Sequence, residues 1–230
     1  MAASEAPRLE VVAGTLPNGV RTALLAGTFN PLTRAHTALA MAGHRAGCER
    51  VVLAMAPTSL DKELLERAHP VDRLDWVCAW ARRHDWAAVA VSSRPLLVDM
   101  AEVLGRLTGR QVTLLLGTDK AEQLIEPRYY DDLQAALARL GAAASLLVAD
   151  RPGHAAPPLP ATRLPTPARI RDRSSTEVRE AARHRRPLDQ LVPSAVARAI
   201  ARTRPYDDEP EPYLTRARAL DALVSDPTHP

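Results

Sequence analysis

Short apolar runs of β type alternate with longer runs of helical period over most of this chain, and that alternation limits the fold more than any other feature. Residues 21–26, 51–55, 87–91, 111–116 and 145–149 read as strands. They are mostly apolar throughout, as parallel strands covered on both faces are. Between them 34–46, 70–84, 97–108 and 129–140 read as helices. In the second, Val71, Leu74, Trp76, Val77, Cys78 and Trp80 supply a broad apolar stripe. Strand, helix and strand at this spacing predict an α/β fold built on a doubly wound parallel sheet. The Pro-rich stretch 151–169 predicts a loop across the sheet edge, and 174–184, 193–203 and 212–224 predict three C-terminal helices. Residues 1–20 and 205–230 read as extensions around a domain of 21–204, and 9–13 before Pro17-Asn18-Gly19 could add a strand and turn.

Composition excludes several classes. Aromatic residues are 3% of the 230, so the core must come from Ala, Leu and Val. No apolar run approaches the roughly 20 residues of a membrane span, and the N-terminus MAASEAPRLE has no secretion-signal pattern. Cys48 and Cys78 stand apart without metal-ligand spacing, which predicts the reducing cytoplasm and no zinc cluster. His44, His69, His84, His154, His184 and His229 share no metal-site spacing either and read mostly as surface residues. Trp76 and Trp80 read as core and Trp86 as structural. Formal charge is +3, and of 30 basic residues all but Lys62 and Lys120 are arginine. They are dispersed among acids, so nucleic acid is not the expected partner, whereas a small anionic substrate is compatible.

The chain leaves its first predicted core strand as Gly27-Thr28-Phe29-Asn30-Pro31-Leu32-Thr33-Arg34-Ala35-His36. Gly27 permits a tight turn, Thr33 is a good N-cap, and His36 then falls in the first helical turn. A helix N-terminus favours phosphate, and an imidazole there can donate to a phosphoryl oxygen. A capped helix with an incidental histidine is the plainer alternative. G-T-F-N-P-x-T-x-x-H resembles the first signature of the nucleotidylyltransferase superfamily, and most resembles the nicotinamide and nicotinate mononucleotide adenylyltransferases. Ala35 departs from it, standing where the general motif prefers Gly. Further on, Ser174-Ser175-Thr176-Glu177-Val178-Arg179 resembles the second signature, SSTxxR. By itself Ser174 with Glu177 is a capping box. Residues 187–201 also resemble the family's closing segment.

The resemblance covers about residues 20–205 and implies a Rossmann-like sheet of strand order 3-2-1-4-5. In that order the loop after strand four, Gly117-Thr118-Asp119-Lys120, faces the Gly27–His36 loop. The implied activity is adenylyl transfer from ATP, accompanied by Mg²⁺, to nicotinamide or nicotinate mononucleotide, with release of pyrophosphate. His36 and Arg179 would be catalytic. Gly27, Thr28, Phe29, Thr33, Gly117, Asp119, Ser174, Ser175 and Thr176 would complete the ATP site. A plain N-cap role for Asp119 is compatible with this one. Lys62 and Arg73 sit where relatives place phosphate-binding cations, with solvated surface charge the alternative.

The acceptor half is less clearly marked. Asn30, Asp99, Tyr129 and Tyr130 are its candidates, the tyrosines as stacking rings or as the start of a packed helix. The stretch 96–100 keeps the family's Asp and loses its neighbours. Two other readings therefore stay open: a relative using another phosphorylated acceptor or CTP, and a nucleotide-binding module without turnover. Family members are often homo-oligomers.

Overall fold

A computed structural model of the chain describes residues 6–56, 68–150, 159–164 and 173–225. Its strands are β1 (Leu9–Ala13), β2 (Thr22–Ala26), β3 (Arg50–Met55), β4 (Ala87–Ser92), β5 (Val112–Gly117), β6 (Ala144–Ala149) and β7 (Thr162–Arg163). The helices are α1 (Arg34–Arg45), α2 (Pro70–Ala81), α3 (Leu97–Thr108), α4 (Thr118–Gln123), α5 (Leu133–Ala143), α6 (Ser175–Arg183), α7 (Ser194–Thr203) and α8 (Glu211–Ser225).

All of these strands form one sheet in the order β1-β4-β3-β2-β5-β6-β7. The central five, β4-β3-β2-β5-β6, are parallel and stand in the predicted 3-2-1-4-5 order. β1 adds antiparallel to β4, and Gly19 at φ +80° supplies the left-handed turn residue after it. At the other edge β7 pairs with β6 inside the stretch read as a loop. Its two residues are exposed, so no apolar pattern marks them.

Alternation along each strand feeds two cores. Ala23, Leu25, Val51 and Leu53 face α1, α2, α6 and α7. Leu24, Val52, Ala54 and Leu114 face α3, α4 and α5. Both sides are filled, which is why the strands look uniformly apolar in sequence.

Helix boundaries moved where local chemistry outweighs apolar period. The helix expected from 129 begins at Leu133, because Asp132 caps it by accepting from Ala135 N–H at 2.9 Å. Pro127–Tyr129 forms a separate 3₁₀ turn. Trp86 lies between two histidines, stacked on His44 (centroids 4.6 Å apart, 8° between planes) and tilted against His84 at 5.1 Å. Those two imidazoles are half-buried structural groups and not surface ones. Among the described residues, no helix is long and apolar enough to cross a membrane.

The C-terminal segment is tied in by two buried tyrosines. Tyr213 O–H donates to Asp72 Oδ2 at 2.7 Å and accepts from His69 N–H, while Arg216 pairs with Asp72 Oδ1 at 2.6 Å. Tyr206 O–H donates to Asn30 Oδ1 at 2.8 Å. Burial pushes both phenols above the ordinary tyrosine range, and for Tyr213 the bond to Asp72 adds to it. A folded-state pKa raised this way gives stability that is whole below the unfolded value, near 10, and is lost as pH rises past it. The unfolding free energy from urea titration should therefore fall from about pH 10 upward, by about 1.4 kcal/mol per pH unit for each tyrosine. The double variant Tyr206→Phe/Tyr213→Phe should show a flatter alkaline limb. Equal slopes in the two proteins would contradict it.

Candidate functional site

The loop between β2 and α1 leaves the carboxyl end of the sheet beside the end of β5. Gly27 N–H bonds Ala54 O at 3.0 Å. Its role differs from the expected turn: the left-handed residue is Phe29, at φ +44°. Gly27 instead makes room, since a Cβ there would lie 3.1 Å from Cε1 of the buried Phe29 ring. That ring meets the His36 imidazole edge-on, centroids 5.3 Å apart. The side chain of Phe29 thus supports His36, and the Asn30–Pro31 peptide that follows is cis.

Thr33 is the N-cap of α1, its Oγ1 accepting from His36 N–H at 3.3 Å. In return His36 Nδ1 lies 3.0 Å from Thr33 N. A backbone N–H can only donate, so Nδ1 accepts and the neutral ring carries its proton on Nε2. The cap thereby fixes the tautomer that can donate to a ligand. The sequence gives no sign of a box between Thr33 and His36, because Glu or Gln is the usual N3 partner. At the second signature, Ser174 caps α6 through Glu177 N–H at 3.0 Å, but the Glu177 carboxylate pairs with Arg173 at 2.6 Å.

Distant in sequence, the two signatures dock on each other. Ser175 O–H donates to Pro31 O at 3.0 Å, and Arg179 Nη1 donates to Asn30 O at 3.0 Å. Arg179 Nη2 also reaches Thr176 Oγ1 at 3.1 Å. The N-termini of α1 and α6 therefore meet at Pro31, with His36 and Arg179 beside them. Two helix N-termini and a guanidinium attract anions, phosphate foremost. Arg34 secures the start of α1 to the segment after α6, its N–H on Leu191 O and its Nε–H on Asp189 O, both at 2.8 Å.

Arg73 is 5% exposed and donates from Nη1 to Thr28 O at 2.9 Å. It is not solvated surface charge; it holds the loop from within the protein. Lys62 lies outside the described residues. Asn30 is 2% exposed, with Oδ1 on Tyr206 and Nδ2 without a hydrogen-bond partner among the described residues. In the sequence Tyr206 is one tyrosine in a polar stretch, which carries no signal of this partner. Asp119 sits in the first turn of α4 while Gly117 takes the N-cap position, so Asp119 is not the cap.

The remaining acceptor candidates group elsewhere. Asp99 is buried in the first turn of α3, with Arg139 on Oδ1 at 2.9 Å and Arg94 3.8 Å from Oδ2. Burial raises the Tyr130 phenol, and the Asp99 charge raises it further. Tyr130 packs on the core facing α3 to α5, whereas Phe29 and Leu32 belong to the other face of the sheet. Tyr129 accepts from Arg128 Nη2 at 2.6 Å, and the Arg128 guanidinium covers its ring at 4.7 Å.

The fold is that of known nicotinic acid mononucleotide adenylyltransferases. The Plasmodium falciparum enzyme complexed with APC superposes with a TM-score of 0.62 at 11% identity, covering 81% of this chain and 97% of that one. The same enzyme complexed with NaAD gives 0.61 at 12% identity, covering 80% and 95%. No protein-family model matches the sequence, and no curated protein does. Similarity to these adenylyltransferases thus lies in the fold and not in overall sequence.

Proposed function

We propose that this protein transfers the adenylyl group of MgATP to a pyridine mononucleotide, nicotinamide or nicotinate mononucleotide, and releases pyrophosphate. The observation that carries the reading is the docking of Ser175 and Arg179 onto Pro31 and Asn30, which brings both phosphate-type helix N-termini to one loop. An acceptor phosphate oxygen forms the new bond to the α-phosphorus as the bond to the β-phosphate bridge breaks, and the electron pair leaves with pyrophosphate. The nucleophile is already an anion, so no general base is needed. The residues position and stabilise charge. His36 Nε2–H donates to the α-phosphate, Arg179 with Ser174, Ser175 and Thr176 holds the leaving pyrophosphate, and Gly117 and Asp119 border the nucleotide. Two buried unpaired thiols, Cys48 and Cys78, suit a cytoplasmic setting.

Pyrophosphate release with MgATP should appear when nicotinamide mononucleotide or nicotinate mononucleotide is added, in separate reactions. Activity only with CTP or another phosphorylated acceptor would reassign the substrate. ATP binding without turnover on any acceptor would reduce the protein to a binding module.

A further inference from the structure

We infer that Tyr206, in the segment after α7, is a positioning residue for the β2–α1 loop. The inference rests on the adenylyl-transfer reading above. Three loop carbonyls are drawn into the protein by separate donors: Thr28 O by Arg73, Asn30 O by Arg179 and Pro31 O by Ser175. In a trans peptide the carbonyl and the following N–H point in opposite directions. Drawing in Thr28 O and Pro31 O therefore turns the N–H groups of Phe29 and Leu32 the other way. The loop has one further tether, on the side chain at its centre. Tyr206, 4% exposed, donates to Asn30 Oδ1 across 176 residues of sequence.

This tether holds the loop's side-chain amide, where the other three hold main-chain carbonyls. Asn30 Nδ2 is buried without a partner among the described residues, so the Tyr206 hydroxyl is the only hydrogen bond that orients the amide there. Without that hydroxyl the amide is wholly unsatisfied in a buried place and turns toward whatever donor or acceptor it can reach. Its own loop offers such groups, among them the Asn30 carbonyl that Arg179 holds. His36 follows six residues on, its ring braced by Phe29. A slackened Asn30 thus reaches the reacting end of the site through the backbone, although Tyr206 touches no substrate. The segment 205–225 then belongs to the working site and is not an appendage to it.

Tyr206→Phe removes one oxygen and keeps the ring. At saturating MgATP and pyridine mononucleotide, kcat should fall about tenfold while KM for ATP stays within about twofold. Asn30→Ala should give a similar loss, and Tyr206→Phe added to it should cost nothing more. Ile200→Val, a core truncation in neighbouring α7, should lower Tm and leave kcat unchanged, which separates positioning from stability. The ¹⁵N resonances of the His36 ring should shift in Tyr206→Phe. An unchanged kcat with an unmoved His36 signal overturns the proposal, and so does a full additive loss in the double variant. Should the wild type release no pyrophosphate with any acceptor, the adenylyl-transfer reading fails, and the His36 resonances alone then decide the role of Tyr206.

Discussion

Replacing His36 by alanine should lower kcat for pyrophosphate release by about a hundredfold or more, the usual scale for losing one donor aimed at developing charge. Alanine removes two things at once. It removes the Nε2–H donor, and it leaves Thr33 N–H without the Nδ1 acceptor that completes the cap of α1. The second loss costs about 1 kcal/mol of stability. His36→Glu separates them. A glutamate in this place is the standard partner of a threonine N-cap and restores the acceptor for Thr33 N–H. It offers no donor to phosphate and brings a negative charge against the triphosphate. The glutamate variant should therefore melt at or above the wild-type temperature while its kcat falls at least as far as in the alanine variant. Were the glutamate variant to regain activity along with stability, His36 would be a helix cap and nothing more.

The sheet was legible because its physics is repetitive. Five strands buried on both faces leave runs such as 51–55 that no exposed element would carry, and their spacing implies the crossovers. What escaped was short or polar. α4 is a six-residue helix of sequence TDKAEQ, and β7 is two exposed residues. Neither has a period to read.

The site divides along the same line. Contiguous signatures around Thr33 and Ser174 showed their caps in the sequence, and the structure brings the two loops within hydrogen-bonding distance. Which side chain completes a cap was not legible: Glu177 has the right identity and pairs with Arg173, while His36 has the unusual identity and closes the box. Arg73 shows the same limit. A charged residue in an amphipathic helix looks solvated, and only the packed fold reveals a loop carbonyl waiting inside. Tyr206 and Tyr213 lay furthest from reach, since each acquires its meaning from a partner more than a hundred residues away.

Arg179 gives the second large effect. Its guanidinium uses Nη1 on Asn30 O and Nη2 on Thr176 Oγ1, so its plane is fixed before any nucleotide arrives. A preset fork loses less freedom when it takes up two phosphate oxygens than a mobile side chain does. Arg179→Ala removes that charge and leaves Asn30 O without its donor. Hydrogen bonds to charged groups are worth about 1.5–3 kcal/mol. kcat/KM for ATP should accordingly fall about a hundredfold. Arg179→Lys keeps the charge and cannot bridge two acceptors in one plane, so a loss of about tenfold is expected. Because charge builds on the leaving pyrophosphate, most of both losses should appear in kcat, with KM for ATP changing less. Should the lysine variant match the wild type, the fork geometry would be irrelevant and Arg179 would serve only as a diffuse positive charge. Should the alanine variant also match it, the leaving group would be held by the α6 N-terminus alone, and the docking of the two signatures would be a feature of the fold without a part in the chemistry.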